Sequence, residues 1–510
     1  MIRIIALVTN LIYKRQIYLP ETRYKGNIGK QVASGSMWSG IEVGTSTILQ
    51  FIRSIIFARI LIPSDFGVLS LATIFTEFIL IFANFGFNAS VIYHRQLEKK
   101  DLSTCWWGNL FIDGVVALIC ILFALFSTRF ADDDHTVSNI ICLLAVQFLI
   151  LSLGSVNSAL LQRQFMFKQL AIAKLTNIAV AFIVAWFCIG VFKLGVYGLV
   201  SGMIFGNICM ILLFFYYLPW LPSFSFSFSH LRRHVTYGGW FLGVNLVTYV
   251  NGNLDKAIVG TYLNVTQLGF YEYAANIPLM VANKLSQVLN SVLFPAFSSL
   301  QDNLQQLGTL LNNVYRYNAM LIYPILTGIA LVAPDFVLAA YGEKWRPVIE
   351  PLRLFCMFGM LRIFINPFYA LCNGIGKPRL PFKWMTIYLP INAAMMFYSV
   401  KYFGVMGAIE ARLFLPLFMT FTLGWQLLKL VKMSYYDLVK AIWPALLSCA
   451  LMSIAVLSFE HFVIDSIDFS LVRLMVLVPL GSLCYFMSLV IFFRSDVRFI
   501  FDKFKDFRSK

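Results

Sequence analysis

Charge is scarce in this sequence: 13% of its 510 residues are Asp, Glu, Lys or Arg, while 59% are apolar. Average soluble chains carry roughly a quarter charged residues, so the shortage excludes an ordinary soluble protein, which could not cover its surface. Acidic residues are rarer still, 24 against 40 basic ones. The nine cysteines form no CxxC pair and show no ligand-like spacing, which argues against a disulfide scaffold or a metal centre and leaves them as small apolar packing residues. His230 and His234 in HLRRH could share a helical face, but they read as solvated interfacial residues rather than metal ligands. No metal and no cofactor is expected.

What the chain has instead is long apolar runs. A spanning helix needs about 20 apolar residues, and about fourteen such runs can be drawn between residues 36 and 493. The predicted fold class is therefore an all-α membrane protein with the bilayer as its solvent. Residues 1–35 form an N-terminal extension read as cytoplasmic: its apolar piece MIRIIALVTNLIY is short, is followed by Lys14 and Arg15, and lacks a signal-peptide cleavage pattern. With that end inside, most Lys and Arg residues of the connections fall on the cytoplasmic side, as insertion requires. The basic tail 494–510 falls inside, and the acidic runs Asp132, Asp133, Asp134 and Glu460, Asp465, Asp468 fall outside. One loop dissents, carrying Lys344, Arg346 and Arg353 on the outer side. The net charge of +16 needs no nucleic acid, since basic residues facing anionic lipid account for it.

The chain also repeats itself. An offset of 202 residues lays LIPSDFGVLSLA (61–72) over LNVTQLGFYEYA (263–274), matching Leu61, Gly67 and Ala72 to Leu263, Gly269 and Ala274, and an offset of 209 matches GVYG from Gly195 to GVMG from Gly404. The first pair joins a first to a second helix and the second pair a fifth to a sixth, so the repeat unit is six helices. An even number separates the copies, which makes them parallel repeats with substrate expected between two lobes. The predicted organisation is an N-lobe at 36–218, a cytoplasmic linker at 219–237, a C-lobe at 238–430, two further helices at 441–493, and the tail.

Ten charges fall inside predicted spans: Glu42, Arg53, Glu77, Asp113, Asp255, Lys256, Lys284, Arg362, Glu410 and Arg412. Exposing all of them to lipid would cost on the order of 30 kcal/mol, more than the typical net stability of a fold, so most must face water, each other or protein. At about 100° per residue, Ser70, Glu77, Asn84 and Asn88 share a face of the second helix, and Asn276, Asn283, Gln287 and Asn290 share one on the eighth. Glu42 aligns with Arg53 on the first, and Asn245 with Lys256 on the seventh. Such stripes suit the walls of a cavity; polar packing between helices is the alternative.

The segments ARILIPSDFGVLSLA, LLQRQFMFKQLA, NLDKAIVGTYLNVTQLGFYEYA, FPAFSSLQDN, GEKWRPVIEPLRLF and GIGKPRLP together resemble the polysaccharide transport branch of the multidrug/oligosaccharidyl-lipid/polysaccharide exporter superfamily, which includes Wzx-type flippases. The likeness runs from about residue 28 to 430. It implies two six-helix lobes in a V around a cavity, two extra helices, and alternating access that carries an undecaprenyl-diphosphate-linked oligosaccharide across a bacterial inner membrane, both chain ends being cytoplasmic. The expected partners are the lipid bilayer, that lipid-linked substrate, and polymerase and export proteins of a glycan assembly pathway. Family cavity cations would correspond to Arg53, Lys284 or Arg362, and the family's NLDK adds Lys256; each could offset a diphosphate in a watery cavity. Glu77, Glu42 and Asp255 are the candidates for coupling to an ion, Glu77 because a carboxyl near the middle of a span can take up a proton as the cavity changes its facing. Arg53 and Asp255 coincide at offset 202 and are candidates for a gate, unless each pairs within its own lobe. A drug antiporter of the same superfamily is the nearer rival. A membrane glycan polymerase or ligase, an enzyme, would need a larger outer loop than the sequence offers.

Overall fold

The computed structural model describes residues 28–81, 91, 99–127, 135–224, 239–300, 303–377, 379–464 and 470–494, and among these every regular element is a helix. That follows from the solvent: an apolar run in hydrocarbon must satisfy its own backbone, and a helix does so within one segment. In chain order the long helices are α1 (Ile28–Ile60), α2 (Pro63–Ile81), α3 (Lys99–Ser127), α4 (Thr136–Arg163), α5 (Phe167–Gly190), α6 (Val196–Tyr217), α7 (Gly239–Ile258), α8 (Val265–Ser299), α9 (Leu304–Leu331) and α10 (Ile349–Gly374). The stretch Arg379–Leu430 is broken at Gly404, and its two parts are α11 (379–403) and α12 (405–430). Then come α13 (Tyr435–Phe459) and α14 (Ser470–Phe492).

Nine of the described helices are long and apolar enough to cross a membrane, or ten if the bent pair Leu304–Leu331 and Ala333–Tyr341 is one span. The chain is thus a multi-pass membrane protein, but the expected count of about fourteen is not reached by this measure. The reason lies in composition. Arg379–Leu430 counts once although Gly404 divides it, and α7 and α8 are polar: these are the helices carrying Asp255, Lys256, Glu272 and Lys284. Lengths also exceed expectation, since α8 begins at Val265 rather than near 270 and runs for 35 residues. Asn264 starts it there, its side chain accepting from the Gln267 backbone N–H at 2.8 Å, as an N-cap should.

The chain divides into two compact units, one of residues 1–61 and 68–249, the other of residues 62–67 and 250–510. In the first, α1 packs on α5, α3 on α4, and α5 on α6. The α5–α6 approach is close because Gly202 and Gly206 face the backbones of Ala181 and Asn177, and Asn177 donates to Asn207 Oδ1 across it at 2.7 Å. In the second, α8 packs on α10, α9 on α10 and α13, and α13 on α14. Helices α13 and α14, outside the repeat, are tied in by polar anchors as well. The Tyr485 hydroxyl donates to the Met320 carbonyl at 2.8 Å, and Arg473 joins buried Asp335 to Glu460.

One match that revealed the repeat has a structural cause. Gly195 (φ 54°, ψ −131°) and Gly404 (φ 60°, ψ −140°) adopt the same positive-φ conformation, which side chains with a Cβ rarely enter. Three residues on, Gly198 lies against Ile189, and Gly407 against the Ser399 carbonyl, so G-V-x-G encodes a tight turn between two helices. The dissenting loop is also explained. Lys344 lies near Asp65, Arg346 pairs with Glu343 at 3.2 Å, and Arg353 pairs with Glu350 at 2.7 Å, so each of its cations has a carboxylate beside it.

Candidate functional site

In the first unit, Glu42 of α1 pairs with Lys174 of α5 at 3.6 Å, while Lys168, also on α5, lies over the Trp38 ring at 5.3 Å. Arg53 is half-buried on α1 and Asp113 half-buried at the middle of α3. Glu77 is exposed on α2, within hydrogen-bonding reach of the Tyr249 hydroxyl, which donates to the Ile74 carbonyl at 2.8 Å. Of the stripe expected on the second helix, Ser70 and Glu77 are seen, whereas Asn84 and Asn88 lie outside the described residues, as do HLRRH, the acidic runs apart from Glu460, and the basic tail.

The second unit holds the denser cluster. Asp255, at the end of α7, is 2% exposed; its Oδ2 takes the guanidinium of Arg412 from α12 and accepts from the Tyr271 hydroxyl of α8. Arg412 also donates to the Tyr271 oxygen at 3.4 Å. The other carboxylate oxygen, Oδ1, is buried with no hydrogen-bond partner among the described residues. Next to it in sequence, Lys256 pairs with Glu272 of α8 at 2.7 Å. Two adjacent residues on α7 thus meet two adjacent residues on α8, acid to hydroxyl and base to acid.

Beside this network lie two cations of another kind. Arg362 of α10 donates to Asn283 Oδ1 of α8 at 2.7 Å, and Lys284 is half-buried on α8. Neither has a carboxylate partner among the described residues. The Phe358 ring has two guanidiniums over it, Arg412 at 5.1 Å and Arg362 at 6.0 Å, an arrangement in which ring quadrupole attraction orients both. The predicted cations therefore separate. Lys256 is paired with an acid, while Lys284 and Arg362 are not, among the described residues.

Sequence reasoning placed Asp255, Lys256, Lys284 and Arg362 in one lobe, and the structure gathers all four in the second unit. It missed Tyr271 and Glu272, whose motif YEYA served only as a repeat marker, and Lys174, the partner of Glu42. Arg412 was counted as a charge in the membrane with no role. The useful signal was the pairing of Asp-Lys on one helix with Tyr-Glu on the next, since adjacent opposite charges inside two neighbouring spans need partners.

Comparison with known proteins gives a consistent picture. A family model described as polysaccharide biosynthesis protein matches residues 56–350. The teichuronic acid biosynthesis protein TuaB of Bacillus subtilis is 24% identical over 474 residues, covering 91% of this chain and 96% of that one. The lipopolysaccharide biosynthesis protein WzxC of Escherichia coli K12 is 24% identical, covering 70% and 73%, and the succinoglycan biosynthesis transport protein ExoT of Rhizobium meliloti is 22% identical, covering 76% and 77%. Among solved structures, the lipid II flippase MurJ in an inward closed conformation superimposes with a TM-score of 0.74 at 16% identity, covering 90% of this chain and 99% of that one. An inward-facing multidrug resistance MATE family transporter gives 0.62 at 16% identity, covering 76% and 96%.

Proposed function

From the premise that this chain belongs to the polysaccharide biosynthesis protein family, we infer that it is a flippase, a transporter rather than an enzyme. It moves oligosaccharide linked to undecaprenyl diphosphate across the inner membrane by alternating access, for surface-glycan synthesis. Relatives named for teichuronic acid, lipopolysaccharide and succinoglycan biosynthesis support the glycan, and MurJ and MATE neighbours support the transporter fold. Both chain ends are cytoplasmic in this reading, and polymerase and export proteins of the same assembly pathway are its partners.

The observation that carries the reading is the division among the cations of the second unit. Asp255 and Glu272 are paired with Arg412 and Lys256, whereas Arg362, bonded to Asn283, and the adjacent Lys284 have no carboxylate partner among the described residues. A diphosphate is the group that such a pair suits: Arg362 offers a planar fork of donors and Lys284 a mobile point charge. Glu77, an exposed carboxyl on α2 beside the Tyr249 hydroxyl, is the coupling group. Glu42 and Asp255 hold Lys174 and Arg412 and must release them before they can take an ion. The same requirement bears on the pairing of Arg53 with Asp255 as a gate: Asp255 must exchange one guanidinium for another. A drug antiporter of the same superfamily would share the fold but would not produce a lipid intermediate. Deleting the gene and identifying the lipids that accumulate tests the function. Stranded lipid-linked oligosaccharide, cleared by the wild-type gene and not by Lys284→Ala with Arg362→Ala, is the expected result; an unchanged lipid pool would overturn it.

A further inference from the structure

Helix α9 packs on both α10 and α13, all three within the second unit, and a groove of about 300 Å³ is lined by all three. Its walls are Leu331 of α9, Cys356, Met357 and Met360 of α10, and Leu457 of α13. Met357 and Leu457 are each about half exposed, so the groove opens on a surface that the bilayer covers. Water finds few partners on such walls. An acyl chain finds many, and methionine side chains adapt to its irregular contour. The groove shares no residue with the cluster around Asp255, nor with Lys284 and Arg362.

Its rim is charged. The segment Tyr435–Phe462 is long and apolar enough to span a membrane, and Glu460 lies in its last turn with Leu457 about one turn deeper. Glu460 therefore stands at the level of lipid headgroups, and the apolar walls reach down among the acyl chains. Arg353 lines the same groove. Its Nε donates to the Ala330 carbonyl at 3.2 Å and its Nη1 to Glu350 at 2.7 Å, which fixes the plane of the guanidinium. Among the described residues its Nη2 has no acceptor. On the α13 side, Glu460 shares the guanidinium of Arg473 with Asp335. Three carboxylates, Asp335, Glu350 and Glu460, thus meet two guanidiniums, Arg353 and Arg473, so among the described residues the rim carries one negative charge in excess. It offers a donor to a phosphate and an acid to a cation.

We propose that this groove binds a phospholipid with a zwitterionic, primary-amine headgroup, the chemistry of phosphatidylethanolamine. The phosphate accepts from Arg353 Nη2, the ammonium donates to Glu460, and one acyl chain lies along Met357, Met360 and Leu457. The ammonium of ethanolamine, like that of lysine, has three N–H donors, whereas a quaternary amine has none. An anionic headgroup would add negative charge to a rim that already has it in excess. The site thus selects by headgroup, through charged side chains set between helices at the membrane surface. It does so whatever cargo the protein carries.

Native mass spectrometry of the full-length protein, delipidated in detergent and titrated with dioleoyl phosphatidylethanolamine, phosphatidylcholine or phosphatidylglycerol, tests the site. One phosphatidylethanolamine should bind about tenfold or more tighter than either other lipid, the factor given by one hydrogen bond to a charged group. Arg353→Gln and Glu460→Gln should each remove that preference. Met360→Trp, which fills the groove and leaves the rim charges in place, should remove the tight binding itself. Ile454→Trp, on the exposed face of α13, should change nothing. Glu460→Gln also takes an acid from Arg473, so if that variant is not monodisperse, Arg353→Gln and Met360→Trp decide. Equal affinity for the three lipids in the wild type, or a preference that survives both of those variants, overturns the site. Displacement of the bound lipid by undecaprenyl phosphate at equal concentration overturns it too, by assigning the groove to a polyprenyl chain.

Discussion

Removing Arg412 should be among the most damaging single changes that can be made to the second unit. Asp255 is nearly fully buried, with side-chain exposures of 3% for it and 14% for Arg412. Among the described residues its Oδ1 already lacks a donor. In Arg412→Leu, the Tyr271 hydroxyl becomes the one described group left on the carboxylate, and an uncompensated buried charge costs about 3 to 5 kcal/mol. At roughly 2 °C per kcal/mol for a unit of this size, the melting temperature of the detergent-solubilised protein should fall by about 6 to 10 °C.

The double variant separates this cause from simple loss of packing. Replacing both members of a buried ion pair by apolar residues is often neutral, so Asp255→Leu with Arg412→Leu should be more stable than Arg412→Leu alone. The coupling from the double-mutant cycle should reach about 2 kcal/mol or more, within the range for residues in direct contact. A coupling below about 0.5 kcal/mol, the value for independent sites, would refute the claim that these two charges satisfy each other. Tyr271→Phe is a milder probe. It removes one hydrogen bond to a charged acceptor and should cost about 1.5 to 3 kcal/mol.

Other outcomes follow from the same geometry. Lys284→Ala and Arg362→Ala should each reduce export with little change in melting temperature, whereas Lys256→Ala, which removes the ion pair to Glu272, should lower melting temperature as well; equal stability in all three would erase the distinction between cations with and without a carboxylate beside them. Glu77→Gln should remove the dependence of transport on the proton gradient, and Tyr249→Phe should alter it, because that hydroxyl lies beside the carboxylate; a transport assay in vesicles across pH would expose either failure. Gly195→Ala and Gly404→Ala should each destabilise by about 1 to 3 kcal/mol through backbone strain alone, measurable by thermal unfolding.

Much of the architecture was legible because the bilayer imposes simple rules. Apolar runs mark helices. The repeat was legible for a sharper reason: Gly195 and Gly404 stand where a backbone permits nothing larger, so their identity survives in both copies while the surrounding side chains drift. The count of spans was less legible. Two helices that carry charged pairs lose the apolarity by which a span is recognised, α7 and α8.

Partnership was the part that sequence could not supply. That Asp255 and Arg412 need company follows from the cost of a charge in hydrocarbon, but Arg53, Lys256, Lys284 and Arg362 could equally have met Asp255 on charge alone. Periodicity assigns a residue to a face of its own helix; it does not say which helix comes to that face. The structure resolves this by bringing α8 and α12 to the end of α7. Asp255 and Lys256, the most motif-like residues in the lobe, tie α7 to its neighbours, while Lys284 and Arg362, which belong to no motif, have no carboxylate partner among the described residues. A conspicuous charged motif inside a membrane is therefore weak evidence for binding until its partners are known. The stronger ground for a proposed binding role is a cation with no acid beside it among the described residues.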